Sequence, residues 1–219
     1  MKNWPIMFIG TGYGIVVMLL STLLMNVFRG PLSIVSGFLM AFIMASIYSH
    51  YLYLLHQIIK TGRINSYDFR DGFRAYLQKI YGIFFLMWIA SFLLNAVRMP
   101  ALTIIVYYGA VLVFNALPES IYLKHYDSMD TVRYSLDFIK ENWVEWYVPN
   151  AVFLVAMLFL NIKMIVNPYA LLLTRDLNQI LLFVLGQLLF NYIMIYRGLL
   201  FELLSTSTRR KREFMRNCK

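Results

Sequence analysis

Six stretches of this chain run without a single Lys, Arg, Asp or Glu: residues 3–28, 30–59, 80–97, 99–118, 146–162 and 177–196. That pattern restricts the fold more than any motif does, because a helix needs about 20 apolar residues to cross roughly 30 Å of hydrocarbon. Composition agrees. Of the 219 residues 60% are hydrophobic and 14% charged, with a mean hydropathy of +0.63, more apolar surface than one soluble core can bury. The expected fold is all-α, a polytopic membrane protein with six transmembrane helices. Only Arg29 separates the first two runs and only Arg98 the third and fourth, while Lys163, Asn167 and Pro168, after the short fifth run, read as a loop near the interface. Pro5, Pro31, Pro100 and Pro149 each stand at the start of a run, where a missing N–H costs no helical hydrogen bond. The first run is too long for a signal peptide and no small-x-small cleavage site follows it, so it reads as a retained anchor.

Basic residues set the orientation. With the N-terminus inside, fifteen of the 20 Lys and Arg face the cytoplasm and four face out (Arg29, Arg98, Lys163 and Arg175), with Arg197 at the end of the last run. The positive-inside rule then places both termini in the cytoplasm, and the expected location is the plasma membrane. Residues 1–205 form one membrane domain. Residues 206–219 are a basic tail in which Arg209, Arg210, Lys211 and Arg212 face anionic lipid headgroups. Nothing folded accompanies that cluster, so nucleic-acid binding is not expected. The lone Cys218 excludes an intrachain disulfide.

Two charged cytoplasmic segments resemble each other. Offset by 59 positions, residues 67–77 (YDFRDGFRAYL) and 126–136 (YDSMDTVRYSL) agree at five of eleven sites: Tyr67/Tyr126, Asp68/Asp127, Asp71/Asp130, Arg74/Arg133 and Leu77/Leu136. Asp68 and Asp127 suit helix N-caps, with an acid three residues on where the helix dipole favours it. Phe69, Phe73, Leu77 and Ile80 in one segment, and Met129, Val132, Leu136, Ile139 and Trp143 in the other, recur at helical steps and predict two amphipathic helices on the cytoplasmic side. Gly72 is a weak point in the first of them. The repeating unit would be a span, an interfacial helix and a return span, over 31–97 and again over 100–165. Two such copies would be related by an axis along the membrane normal.

The first segment, with Gly62, Ser66, Phe69, Gly72 and Phe73, resembles the G-x-x-x-S-x-x-F-x-x-G-F run of bacterial membrane proteins related to the membrane domain of glycerophosphodiester phosphodiesterases. The second, with Pro118, Thr131, Ser135, Asn142 and Trp143, is similar to that group's P…A-x-x-x-S…N-W stretch, with Thr131 in place of the alanine. The resemblance covers roughly residues 60 to 160 and implies a six-helix membrane fold with amphipathic cytoplasmic helices. In the phosphodiesterases a separate catalytic domain follows such a domain. Here the spans take up the chain, and many stand-alone relatives have no assigned activity.

Motifs for chemistry are missing: there is no H-E-x-x-H, C-x-x-C, P-loop or G-x-S-x-G. No catalytic residue, metal site or cofactor is therefore expected. His50 and His56 lie about 240° apart around one helix, too far to grip one metal together, and read as packed or interfacial. Gly10 and Gly14 fit close helix packing. Intramembrane ionisable residues are functional candidates by default, and two qualify. Glu119 lies 19 residues past Pro100 and Arg197 lies 20 past Leu177, in two spans running the same way. Equal depth permits an intramembrane ion pair; snorkelling of each to water is the alternative. Gln187 and Asn191, one turn apart, add interhelical hydrogen bonds. The expectation is a non-enzymatic scaffold or accessory subunit that binds lipid or a membrane or cytoplasmic partner. The alternative is a small transporter with a pathway between the repeats, which a mid-depth polar cavity lined by Asn115, Asn150 and Gln187 would favour.

Overall fold

A computed structural model describes residues 6–27, 33–64, 68–97, 99–159 and 177–206. Its elements are α1 (Ile6–Val27), α2 (Ser33–Thr61), α3 (Asp68–Ala75), α4 (Leu77–Val97), α5 (Pro100–Val113), α6 (Leu117–Leu123), α7 (Ser128–Phe159) and α8 (Leu177–Thr206), and the described residues hold no strand. The basic tail with Arg209 to Arg212, and the loop around Lys163, lie outside the described residues.

Three helices are long and apolar enough to cross a membrane: Gly37–Thr61, Leu77–Leu94 and Leu181–Thr206; α5 and α6, bent by 41°, make a fourth if counted as one. Six were expected, and by this measure of length and apolarity the described residues supply three or four; at two of the runs the reason is local. Pro118 has no N–H and its ring opposes the carbonyl of Phe114, so the fourth run breaks between Val113 and Leu117. The fifth run follows a kink at Asn142 (φ −126°, ψ 23°) that divides α7 into two helices, with Pro149 inside the second, whose described residues are 143–159. α1 is 22 residues long and uncharged.

Helix α2 is the hub, packed against α1, α3, α4, α6 and α8, while α8 also meets α1, α6 and α7. The core gathers at one end of the bundle. Leu52, Leu54, Leu55, Ile80, Ile83, Leu117, Ile121 and Tyr122 form its larger cluster, and Ala116, Phe138, Trp146, Phe201 and Leu204 a second. Toward the other end the large apolar side chains are exposed: Phe38 and Phe42 on α2, Trp88 and Phe92 on α4, Ile104 and Ile105 on α5, Val152 and Val155 on α7. Burial as dense as in a water-soluble core at one end, with an apolar belt at the other, is what a bilayer solvent permits.

The first amphipathic stripe is divided between two helices. In the first segment the helix ends at Ala75 and restarts at Leu77, so Phe73 belongs to α3 whereas Leu77 and Ile80 belong to α4. Ile80 is 0% exposed and sits in the core; the side chain of Phe69, like that of Asp68, lies outside the described residues. Ser49 explains the break. Its Oγ donates to the carbonyl of Gly72 at 2.9 Å and accepts from the N–H of Tyr76 at 2.9 Å, so a side chain of α2 satisfies the backbone on both sides of the bend. Gly72 is the contact point: a Cβ there would stand 2.6 Å from His50 Cδ2 and 3.1 Å from Tyr53 Cδ1. What weakens α3 as a helix lets it lie on α2.

The second segment opens as a capped helix, with the N–H of Asp130 donating to Asp127 Oδ1 at 2.9 Å. Its buried face is not the apolar stripe. Met129 and Trp143 are 58% and 60% exposed, with Val132, Leu136 and Ile139 half-buried. Thr131, Ser135, Phe138, Asn142 and Trp146 are the residues turned inward. The corresponding breaks fall at Tyr76 and Asn142, 66 positions apart where the sequence match is offset by 59.

Candidate functional site

The break between α5 and α6 leaves carbonyls at the end of α5 and in the bend with accepting capacity, as at any helix C-terminus, although that of Leu112 also takes the N–H of Asn115 at 3.0 Å. Two side chains from other helices fill the gap. Arg197 of α8 donates through Nη2 to the carbonyl of Asn115 at 2.5 Å, and the Tyr147 hydroxyl of α7 donates to the carbonyl of Leu112 at 2.5 Å. The structure brings Arg197 and Glu119 together at the same place: Nε lies 2.7 Å from Oε1 and Nη2 3.0 Å from Oε2, a two-pronged contact. Glu119, in the first turn of α6, is 0% exposed and the Arg197 side chain 14%.

Trp146 completes the cluster. The Arg197 guanidinium lies 5.1 Å from the centre of its ring, and its Nε1 donates to Asn115 Oδ1 at 3.0 Å. Phe138 packs edge-on against Trp146 at 5.3 Å and against Phe201 at 4.3 Å. One arginine thereby ties α5, α6, α7 and α8 at a point. Gly198, next along α8, makes the approach close enough, since a Cβ there would overlap Ile59 Cδ1 and come within 2.5 Å of Tyr122 Oη. Tyr122 Oη and Ser135 Oγ are buried with no hydrogen-bond partner among the described residues.

Other sequence candidates fall into separate contacts. His50 bonds to the Tyr13 hydroxyl and stacks on Phe73 at 4.3 Å, while His56 Nδ1 faces the carbonyl of Tyr122 at 2.5 Å. Asn191 accepts from the Tyr51 hydroxyl at 2.9 Å, joining α8 to α2, and donates to the Gln187 carbonyl at 2.8 Å. Gly10 of α1 faces this pair: a Cβ there would meet Gln187 Oε1 at 3.9 Å. Sequence reasoning missed the ion pair of Lys60 with Glu202 and the role of Ser49. At the same end of the bundle, burial pushes the Tyr134 phenol up, against a smaller opposing effect of its hydrogen bond with Ser205. The hydroxyl there stays neutral.

Two sizeable cavities are apolar. One of 410 Å³ lies between α2, α4 and the α5–α6 bend, and one of 550 Å³ between α2 and α4, lined by Gly37, Phe38, Ala41, Tyr81, Phe84, Phe85 and Trp88. Neither is lined by Asn115, Asn150 or Gln187; Asn150 instead donates to the Trp146 carbonyl at 2.6 Å. No group of three or more potential metal ligands occurs among the described residues. Comparisons with protein-family models, curated proteins and solved structures give no match.

Proposed function

We propose that this chain is a six-span plasma-membrane protein with cytoplasmic termini, a non-enzymatic scaffold or accessory subunit that binds lipid or a membrane partner. In this reading α3 and the first half of α7 rest at the inner leaflet, the basic tail meets anionic headgroups, and the relatives are the stand-alone glycerophosphodiester phosphodiesterase membrane domains. One observation carries it: the charged and amide side chains inside the bundle are bonded to one another, as in Glu119–Arg197–Asn115–Trp146 and Tyr51–Asn191, while the large cavities offer hydrocarbon walls. Such an interior suits holding helices and hydrophobic ligands, not passing polar solutes.

The transporter reading draws on the broken α5–α6 span beside buried charge, since transporters bind substrates at discontinuous helices. Against it, Arg197 and Tyr147 already occupy the carbonyls at that break. Topology is tested by single cysteines in a Cys218→Ser background. An impermeant maleimide should label positions 29 and 98 from outside, and 67 and 127 only after permeabilisation. Purification in mild detergent, with identification of retained lipids and proteins, tests binding. Solute flux in proteoliposomes that Arg197→Gln abolishes would reverse the order of the two readings.

A further inference from the structure

We propose that the 410 Å³ cleft between α2, α4 and the α5–α6 bend is a site for one anionic phospholipid of the cytoplasmic leaflet, with an acyl chain in the cleft and the phosphate on Lys79. The volume lies within the roughly 300–1,000 Å³ of small-molecule sites. Its walls include Met44, Ile83, Met87, Ala110 and Phe114, and the side-chain polar atoms on them are the hydroxyls of Tyr48 and Tyr107. A cavity walled this way stays dry, so hydrocarbon is the filling that the surroundings supply. α4 leaves it open, because only 11% of Leu77–Leu94 is buried within the bundle.

Charge selects the headgroup. Lys79 lies one turn before Ile83 on the same face of α4, at the end of the cleft where Ile80 and Ile121 form the wall. Its ammonium donates to the carbonyls of Ile121 at 3.0 Å and Lys124 at 2.8 Å. Three N–H bonds are present on such a group, and these two carbonyls fix its position while leaving a donor for a phosphate oxygen. Asp127 is the acid within electrostatic reach, and its Oδ1 is engaged by the N–H of Asp130. Anionic lipid is the acidic component of the inner leaflet.

The site rests on the orientation proposed above, and the experiment separates the two. Protein in nanodiscs of phosphatidylcholine with graded phosphatidylglycerol is released into native mass spectrometry, which counts retained lipid. One phosphatidylglycerol per chain is expected, preferred over phosphatidylcholine. Ala110→Leu, which narrows the cleft, should lower retention of both lipids at an unchanged melting temperature. Lys79→Gln should keep a lipid but lower the preference about fivefold, the effect of one charge at the surface, and Lys79→Arg should restore it. Retention unaffected by Ala110→Leu, or a preference unaffected by Lys79→Gln, overturns the site. Labelling of position 127 from outside would overturn the leaflet and with it the proposal as stated; correct labelling with no retained lipid overturns the site alone.

Discussion

Replacing Arg197 by Gln removes three hydrogen bonds at once, both prongs to Glu119 and the cap on the Asn115 carbonyl, along with the contact over the Trp146 ring. Glu119 is fully buried, so it cannot recover hydration, and breaking a buried pair by removing one partner costs about 3–5 kcal/mol. Glu119→Gln is milder. It leaves a neutral amide within reach of the guanidinium, which keeps the Asn115 carbonyl and the Trp146 ring, so about 1–3 kcal/mol is expected, the range for an unmet buried group. The double variant leaves no lone charge on the acid side and should lose less than the two singles together, with a coupling of about 1–3 kcal/mol. For a chain of this size each kcal/mol moves the melting temperature by about 2–4 °C. Arg197→Gln should therefore melt about 6–20 °C below the parent. The assay is thermal unfolding of the four proteins in one detergent, read by intrinsic fluorescence and by the fraction remaining soluble. Wild-type melting in all three variants, or strictly additive losses, would refute the view that the pair locks the broken helix.

Asp127→Ala removes the side-chain cap on the N–H of Asp130 and should cost about 1 kcal/mol, a drop of about 2–4 °C that Asp127→Asn largely spares. Ser49→Ala leaves the Gly72 carbonyl and the Tyr76 N–H unmet in a buried bend, a loss of about 2–4 kcal/mol, and amide exchange in α3 should accelerate with it. Gly198→Ala should lose about 1–3 kcal/mol by overpacking against Ile59 and Tyr122, whereas Gly109→Ala, with open space at the Cβ position inside α5, should melt at or slightly above the parental temperature.

Depth along a helix can be counted from the sequence, which is how Glu119 and Arg197 stand out as candidates for each other. Rotation about the helix axis cannot be counted in this way, and so Trp146 and Tyr147 do not stand out, and Asn115 does so only as a candidate cavity wall. Pro118 was available as a breaker, since Pro opposes the carbonyl four residues earlier; read only as part of a motif, it conceals the bend after Val113. The stripe containing Met129 and Trp143 leaves its facing undecided for a related reason. Apolar periodicity marks a buried face in water, but beside lipid an apolar residue gains as much outside as inside. Small and polar residues then mark the packed face, and here those are Thr131, Ser135 and Asn142.

Hydropathy along the chain is enough to specify an all-helical architecture with an apolar belt, because every backbone polar group in hydrocarbon must be satisfied within its own helix. It also specifies the start of α7 at Asp127, because capping is local chemistry. Which helices bend, which face turns inward and what closes the broken span depend on side chains brought from far along the chain. Arg197 caps a carbonyl 82 residues away, and Ser49 bridges a bend more than 20 residues on. Contacts of that kind exist only after α2 and α8 have packed, and they are decided by close approach at Gly72 and Gly198 instead of by any property of the segments they join.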